Sequence, residues 1–128
     1  MATPKPGAKV KGSDSGSPIN ALFDLLGRRW ALGILWHLGD GPCAFRALQE
    51  ACGGVSPSIL NARLKELREA QIVERTLDGY ALTKRGAQLR GFIVPLANWS
   101  AAWAKDVYGY ERPGMQARLA KERAARKT

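Results

Sequence analysis

In the stretch "SPSILNARLKEL", Leu60, Leu64 and Leu67 recur at steps of four and three. At about 100° per residue Leu64 and Leu67 fall within roughly 40° of Leu60, which makes the three the buried stripe of a helix. Ser56 supplies an N-cap acceptor and Pro57 suits the first helical position, so a helix is expected over about residues 57–70. An earlier helix starts at Ser17-Pro18, carries Ile19, Leu22, Phe23 and Leu26 on one side, and stops at Gly27. In "RRWALGILWHLGDGP", Arg28 to Pro42, the apolar residues lie nearly all round, which predicts a central buried helix ended by the Gly-Asp-Gly-Pro turn. "CAFRALQEACGG" predicts a shorter helix with Phe45, Leu48 and Cys52 inward, closed by Gly53-Gly54.

The period then changes. "QIVERTLDGYALT" predicts a hairpin with Asp78-Gly79 as its two-residue turn and Tyr80-Ala81-Leu82 as the returning strand. Thr83 caps a last long helix running to about Asp106. Along it Leu89, Phe92, Leu96, Trp99 and Trp103 alternate three- and four-residue steps, a two-heptad seam for packing on another helix. Pro95 interrupts this run, and Gly91 four residues earlier relieves the crowding a helical proline causes. Two helices joined by a tight Gly turn are the skeleton of a helix-turn-helix. Three helices followed by a hairpin give the order of a winged helix. The expected class is therefore mainly α (α+β): a winged helix-turn-helix with a small β-hairpin wing and a long C-terminal dimerisation helix.

The second helix of the pair has an outer face to account for. Opposite the leucines project Ser58, Ala62, Lys65 and Glu69, with Asn61 on the shoulder. The first half of that face is small, polar and partly basic. Asn can pair bidentately with adenine, Ser can reach a base or phosphate, Ala leaves room for a thymine methyl, and Lys65 adds a phosphate or guanine contact. A plain solvated face would carry similar residues; the agreement of turn, hairpin and charge with one architecture favours DNA reading. Arg63 falls about 60° from the leucine stripe and is placed either to brace the helix or to touch phosphate.

Composition sharpens this only in part. The 128 residues carry a net charge of +9, with 45% hydrophobic and 24% charged positions. Residues 1–16 hold three Lys and one Asp, and residues 111–128 hold six basic and two acidic groups, so most of the excess sits outside the central region. A basic balance favours polyanions. Three segments are expected: a disordered basic N-terminal tail over 1–16, the winged helix domain over 17–107 and a basic C-terminal tail over 108–128. No apolar run approaches the roughly 20 residues that cross a bilayer, and no signal pattern opens the chain, so no membrane partner is expected and the cytoplasm is the expected compartment. Cys43, Cys52 and a lone His37 make neither a disulfide framework nor a metal site, and no cofactor is expected. Paired carboxylates in a pocket and a Gly-rich phosphate loop are both missing from the pattern, which argues against an enzyme.

The motifs "ALFDLLGRRWALGILWHLGDGP", "FRAL", "GVSPSILNARLKELREAQIVER", "YALTKRG" and a C-terminal helix with Pro95 and Trp99 resemble those of the HxlR-type regulators, a branch near the MarR-like winged helix proteins. The resemblance runs in order from about Ser17 to Asp106. It implies a homodimer built from the first and last helices, through Ile19, Leu22, Phe23 and the seam Leu89, Phe92, Leu96, Trp99 and Trp103. It implies double-stranded DNA as the partner, with two recognition helices on a near-palindromic site and Ser56, Ser58, Asn61, Ala62, Arg63, Lys65 and Arg75 as the contact residues. Prokaryotic transcription regulation is the implied role, often in response to reactive or aromatic compounds. A cavity between the Trp30/Trp36 helix and the dimer helices could take a small aromatic effector, although aromatic side chains at these spacings more often make plain core. Two departures stand out. The Cys-Pro that opens the first helix in the family is Ser17-Pro18 here, which removes thiol sensing by that route, and the short wing leaves Arg75 at its base as the expected phosphate contact. The alternative is a winged helix used for protein interaction, without sequence-specific DNA binding.

Overall fold

The computed structural model describes residues 2–10 and 15–113. Five helices and one hairpin follow in order: α1 (Pro18–Gly27), α2 (Ala31–His37), α3 (Phe45–Ala51), α4 (Pro57–Glu69), β1 (Val73–Thr76), β2 (Gly79–Leu82) and α5 (Lys84–Tyr108). Two units are separately compact, one reaching to Arg90 and the other starting at Gly91.

In the first unit the helix starts follow their caps. Ser17 Oγ accepts from the Asn20 N–H at 3.4 Å, and Ser56 Oγ accepts from the Ile59 N–H at 3.3 Å, each followed by a proline at the first helical position. The core is built from Ile34 and Leu35 of α2, Leu48 of α3, the Leu60, Leu64 and Leu67 stripe of α4, and Val73 of β1, all fully buried. The leucine spacing thus makes the inner face of α4 by removing three large side chains from water, each worth about 2 kcal/mol.

Two boundaries differ from the sequence expectation. The continuous helix expected from Arg28 is shorter, because Trp30 adopts φ 75° and the chain enters α2 only at Ala31. Arg28 instead ends α1 in an extended conformation and sends its side chain elsewhere. After His37 a single 3-10 turn, Leu38–Asp40, closes the segment. The hairpin turn also moves. Thr76 pairs with Gly79, so the two loop residues are Leu77 and Asp78, not Asp78 and Gly79. Gly79 is the first residue of β2 with φ 117°, and a Cβ there would stand 2.5 Å from the Cys43 carbonyl oxygen. The cause is a bridge that the two-strand pattern did not reveal. The Cys43 N–H donates to the Tyr80 carbonyl at 2.8 Å and the Tyr80 N–H donates back at 2.9 Å, which gives the hairpin a third edge.

The segment before α1 is placed against this unit. The Ala2 carbonyl accepts from Arg28 Nη2 at 2.7 Å, the Thr3 hydroxyl bonds Glu69, and Val10 is buried. Pro4 and Pro6 face an apolar cavity with Leu22, Leu25 and Leu89. Composition predicts disorder here because a short Pro- and Lys-rich segment has no periodicity; its Pro4 and Pro6 lie against apolar side chains of the first unit. The rest of the expected tails, residues 11–14 and 114–128, lies outside the described residues.

In the second unit α5 continues through Pro95 to Tyr108. Trp99 and Trp103 stack at 6.1 Å between centroids, and Tyr108 meets Trp103 edge-on at 5.4 Å. Phe92 is 78% exposed and Trp99 62%.

Candidate nucleic-acid interface

The turn between α3 and α4 sets the angle of the exposed helix. Gly53 and Gly54 both take positive φ, Gln49 Nε2 donates to the Val55 carbonyl at 2.9 Å, and Val55 is buried beneath the turn. From there α4 presents Ser56, Ser58, Asn61, Ala62 and Lys65 to solvent while its leucines are covered. Ser58 Oγ lies 3.5 Å from Ser56 Oγ at the start of the helix. Asn61 lines a groove of about 520 Å³ together with Phe45 and the wing residues Arg75 to Tyr80. Arg75 projects from β1 with its guanidinium over the Tyr80 ring, 5.9 Å from the centroid, so the cation is exposed but its stem is held. Six of the seven residues expected to touch DNA therefore lie exposed on α4, its cap or β1.

Arg63 is different. Its Nε donates to the Arg29 carbonyl at 2.9 Å, and its Nη1 pairs with Glu66. Glu66 is only 6% exposed and takes Arg28 on its other oxygen. One carboxylate thus holds two guanidinium groups, and Arg63 braces α4 to the α1–α2 link, the first of the two roles its angle allows. Glu66 was missed by the sequence reading. The three-residue Arg63–Glu66 spacing is a visible helical pair, but Arg28 arrives from another helix.

Lining the outer end of α4, Thr83 and Gly86 fix where α5 starts. Thr83 Oγ1 donates to the Gln71 carbonyl at 2.7 Å and accepts from the Gly86 N–H at 3.0 Å. A Cβ on Gly86 would collide with the Ile72 carbonyl oxygen, so α5 can approach the strand only with glycine there.

Both cysteines are free, Cys52 buried and Cys43 half-buried. Burial pushes the Cys52 thiol above its ordinary value, with Cys43 adding to the effect, which disfavours the reactive thiolate. Among the described residues no cluster of His, Cys, Asp and Glu is arranged to hold a metal, and no helix is long and apolar enough to cross a membrane. The ring faces of Trp30 and Trp36, expected to border an aromatic effector, have Arg29 and Arg90 over them, each 5.0 Å from the centroid.

An N-capped helix after a Gly turn, followed by a short hairpin, defines a winged helix-turn-helix. Solved structures agree in fold: a MarR-family structure from Enterococcus faecalis V583 superposes with a TM-score of 0.62 at 23% identity, over 77% of this chain and 96% of that one. The HxlR-like helix-turn-helix family profile matches residues 25–108, and the chain belongs to that family. Among its relatives, the HTH-type transcriptional regulator YodB of Bacillus subtilis is 34% identical over 89 residues, 64% of this chain and 80% of YodB. The quinone-bound YodB structure has a TM-score of 0.60 at 36% identity, covering 64% of this chain and 93% of that one. An archaeal relative, the HTH-type regulator MJ0925 of Methanocaldococcus jannaschii, is 29% identical over 87 residues, 65% of this chain and 82% of its own length. These relatives are HTH-type transcriptional regulators.

Proposed function

We propose that the protein is a transcriptional regulator that binds double-stranded DNA as a homodimer, each protomer reading half of a near-palindromic operator with the first two turns of α4. The observation that carries the reading is the division of α4: its leucines are buried, while Ser58, Asn61, Ala62 and Lys65 are exposed together on a rigidly capped helix. Side chains fixed on a buried scaffold give up little entropy when they meet base edges. The homodimer is supported by exposed apolar side chains on two helices, Ile19 and Phe23 on α1 and Phe92, Leu96, Trp99 and Trp103 on α5. Apolar surface of this kind in water marks an interaction site, and a second copy covers it.

A small aromatic effector belongs to the same reading. One YodB structure is quinone-bound, and this chain holds an apolar cavity of about 240 Å³ lined by Pro4, Pro6, Ala21, Leu25 and Leu89. With Ser17 at the head of α1, such an effector acts here without the thiol that opens the helix in other family members. The exposed aromatic residues of α5 also favour a second reading, a protein-interaction module, in which duplex binding would be indifferent to sequence.

Asn61→Ala separates the two. Competition binding of the variant to operator and scrambled duplexes should show preference relaxed at one position per half-site, by about 1–3 kcal/mol. Unchanged preference would remove Asn61 from the reading face.

A further inference from the structure

A second charged surface adjoins the reading face. Along one flank of α4, Asn61, Lys65 and Arg68 follow at steps of four and three, spanning about 10 Å. Asn61 opens onto the groove beside the wing, while Lys65 and Arg68 line a larger groove of about 1000 Å³ between α4, β1 and the start of α5. Arg75 borders both grooves, so the two meet at the base of the wing. From the far wall come Lys84 and Arg85, in the first turn of α5.

The five cations of this groove are treated differently from the structural ones. Arg28 and Arg63 are paired with Glu66, and Lys105 with Glu111 at 3.1 Å. Lys65, Arg68, Lys84 and Arg85 have no carboxylate partner among the described residues, and Arg75 lies over a ring. Of the two acids in the groove, Glu69 accepts from the Thr3 hydroxyl and Glu74 is exposed on β1. Lys65, Arg68, Lys84 and Arg85 are positive groups left unpaired in a concave surface, where the field of each adds to its neighbours. The positive end of the 25-residue helix α5 reinforces it.

We infer that this groove grips the sugar-phosphate backbone of the duplex beyond the bases that α4 reads, with Arg68, Lys84 and Arg85 as phosphate contacts. The inference rests on the DNA-binding reading above. It adds a footprint that is indifferent to base sequence and responsive to salt, since each neutralised phosphate releases counterion and contributes about 0.9 to the slope of log K against log salt.

The test is a salt titration of binding to a mixed-sequence duplex, by fluorescence anisotropy, for the full chain and for Arg68→Gln/Lys84→Gln. Both positions are exposed, so the fold is expected to survive, and Arg68→Lys/Lys84→Arg controls for shape. The Gln variant should lose about 2 from the salt slope. Between about 50 and 200 mM salt its affinity should therefore fall about tenfold less than that of the parent, while the charge-preserving variant keeps the parent slope. A Gln variant with the parent's affinity and slope overturns the groove and leaves the reading helix standing. A parent chain that shows no salt-dependent duplex binding overturns the DNA-binding reading itself.

Discussion

One Glu66 carboxylate, 6% exposed, holds both Arg28 and Arg63. Removing it by Glu66→Ala leaves Arg28, whose side chain is 8% exposed, with only Asp24, 3.8 Å from its Nε, as a carboxylate partner. A loss of about 3–5 kcal/mol is expected, read as a drop in the urea midpoint without a change in m. A change under 1 kcal/mol would show that the pair is solvated. This arrangement also divides the arginines and polar residues of α4 by task. Arg63 serves stability through Glu66 and the Arg29 carbonyl, whereas Asn61 lines the wing groove and is the residue proposed to read bases. The helical wheel already separates them, since Arg63 leans toward the leucines and Asn61 does not. The burial of Glu66 was not legible, because its second partner lies 38 residues away. A polar residue becomes buried when distant side chains close over it, and no local period records that.

The helix starts of α1 and α4 were legible because a Ser-Pro pair states both the cap and the first turn, and the α4 leucines state its inner face. The start of α2 was not. Its apolar residues point all round, so periodicity gives no edge, and the break comes from Trp30 at φ 75°. The wing shows the same limit. Asp78-Gly79 is a strong turn signal, but Gly79 is needed in β2, where the Cys43 backbone passes too close for any side chain. Gly86 is the matching close approach on α5. Gly86→Ala should cost about 1–3 kcal/mol by forcing α5 away from Ile72, seen as a lowered Tm with helical content retained. An unchanged Tm would mean that the helix start can shift freely. Because α5 begins in the wall of the basic groove, the same variant should also weaken duplex binding.

The family and the winged helix order were legible, since each depends on spacing that the sequence preserves. The basic groove was not, because it gathers residues from α4, β1 and α5 that no stretch of sequence places together. Assembly is the other property that exceeds one chain. Phe92, 78% exposed on α5, should be covered in the proposed dimer. Phe92→Glu is expected to give a monomer by sedimentation with an unchanged circular dichroism spectrum, and to weaken operator binding at least tenfold as two half-sites cease to be held together. A variant that stays dimeric would move the interface away from this face. The central claim, a symmetric pair of α4 helices reading base edges, is tested most directly by in vitro selection from a random duplex pool. The expected result is an enriched inverted repeat whose half-sites lie about 34–36 Å apart, or a multiple of that distance. A pool that binds the protein yet enriches no repeated sequence would contradict it.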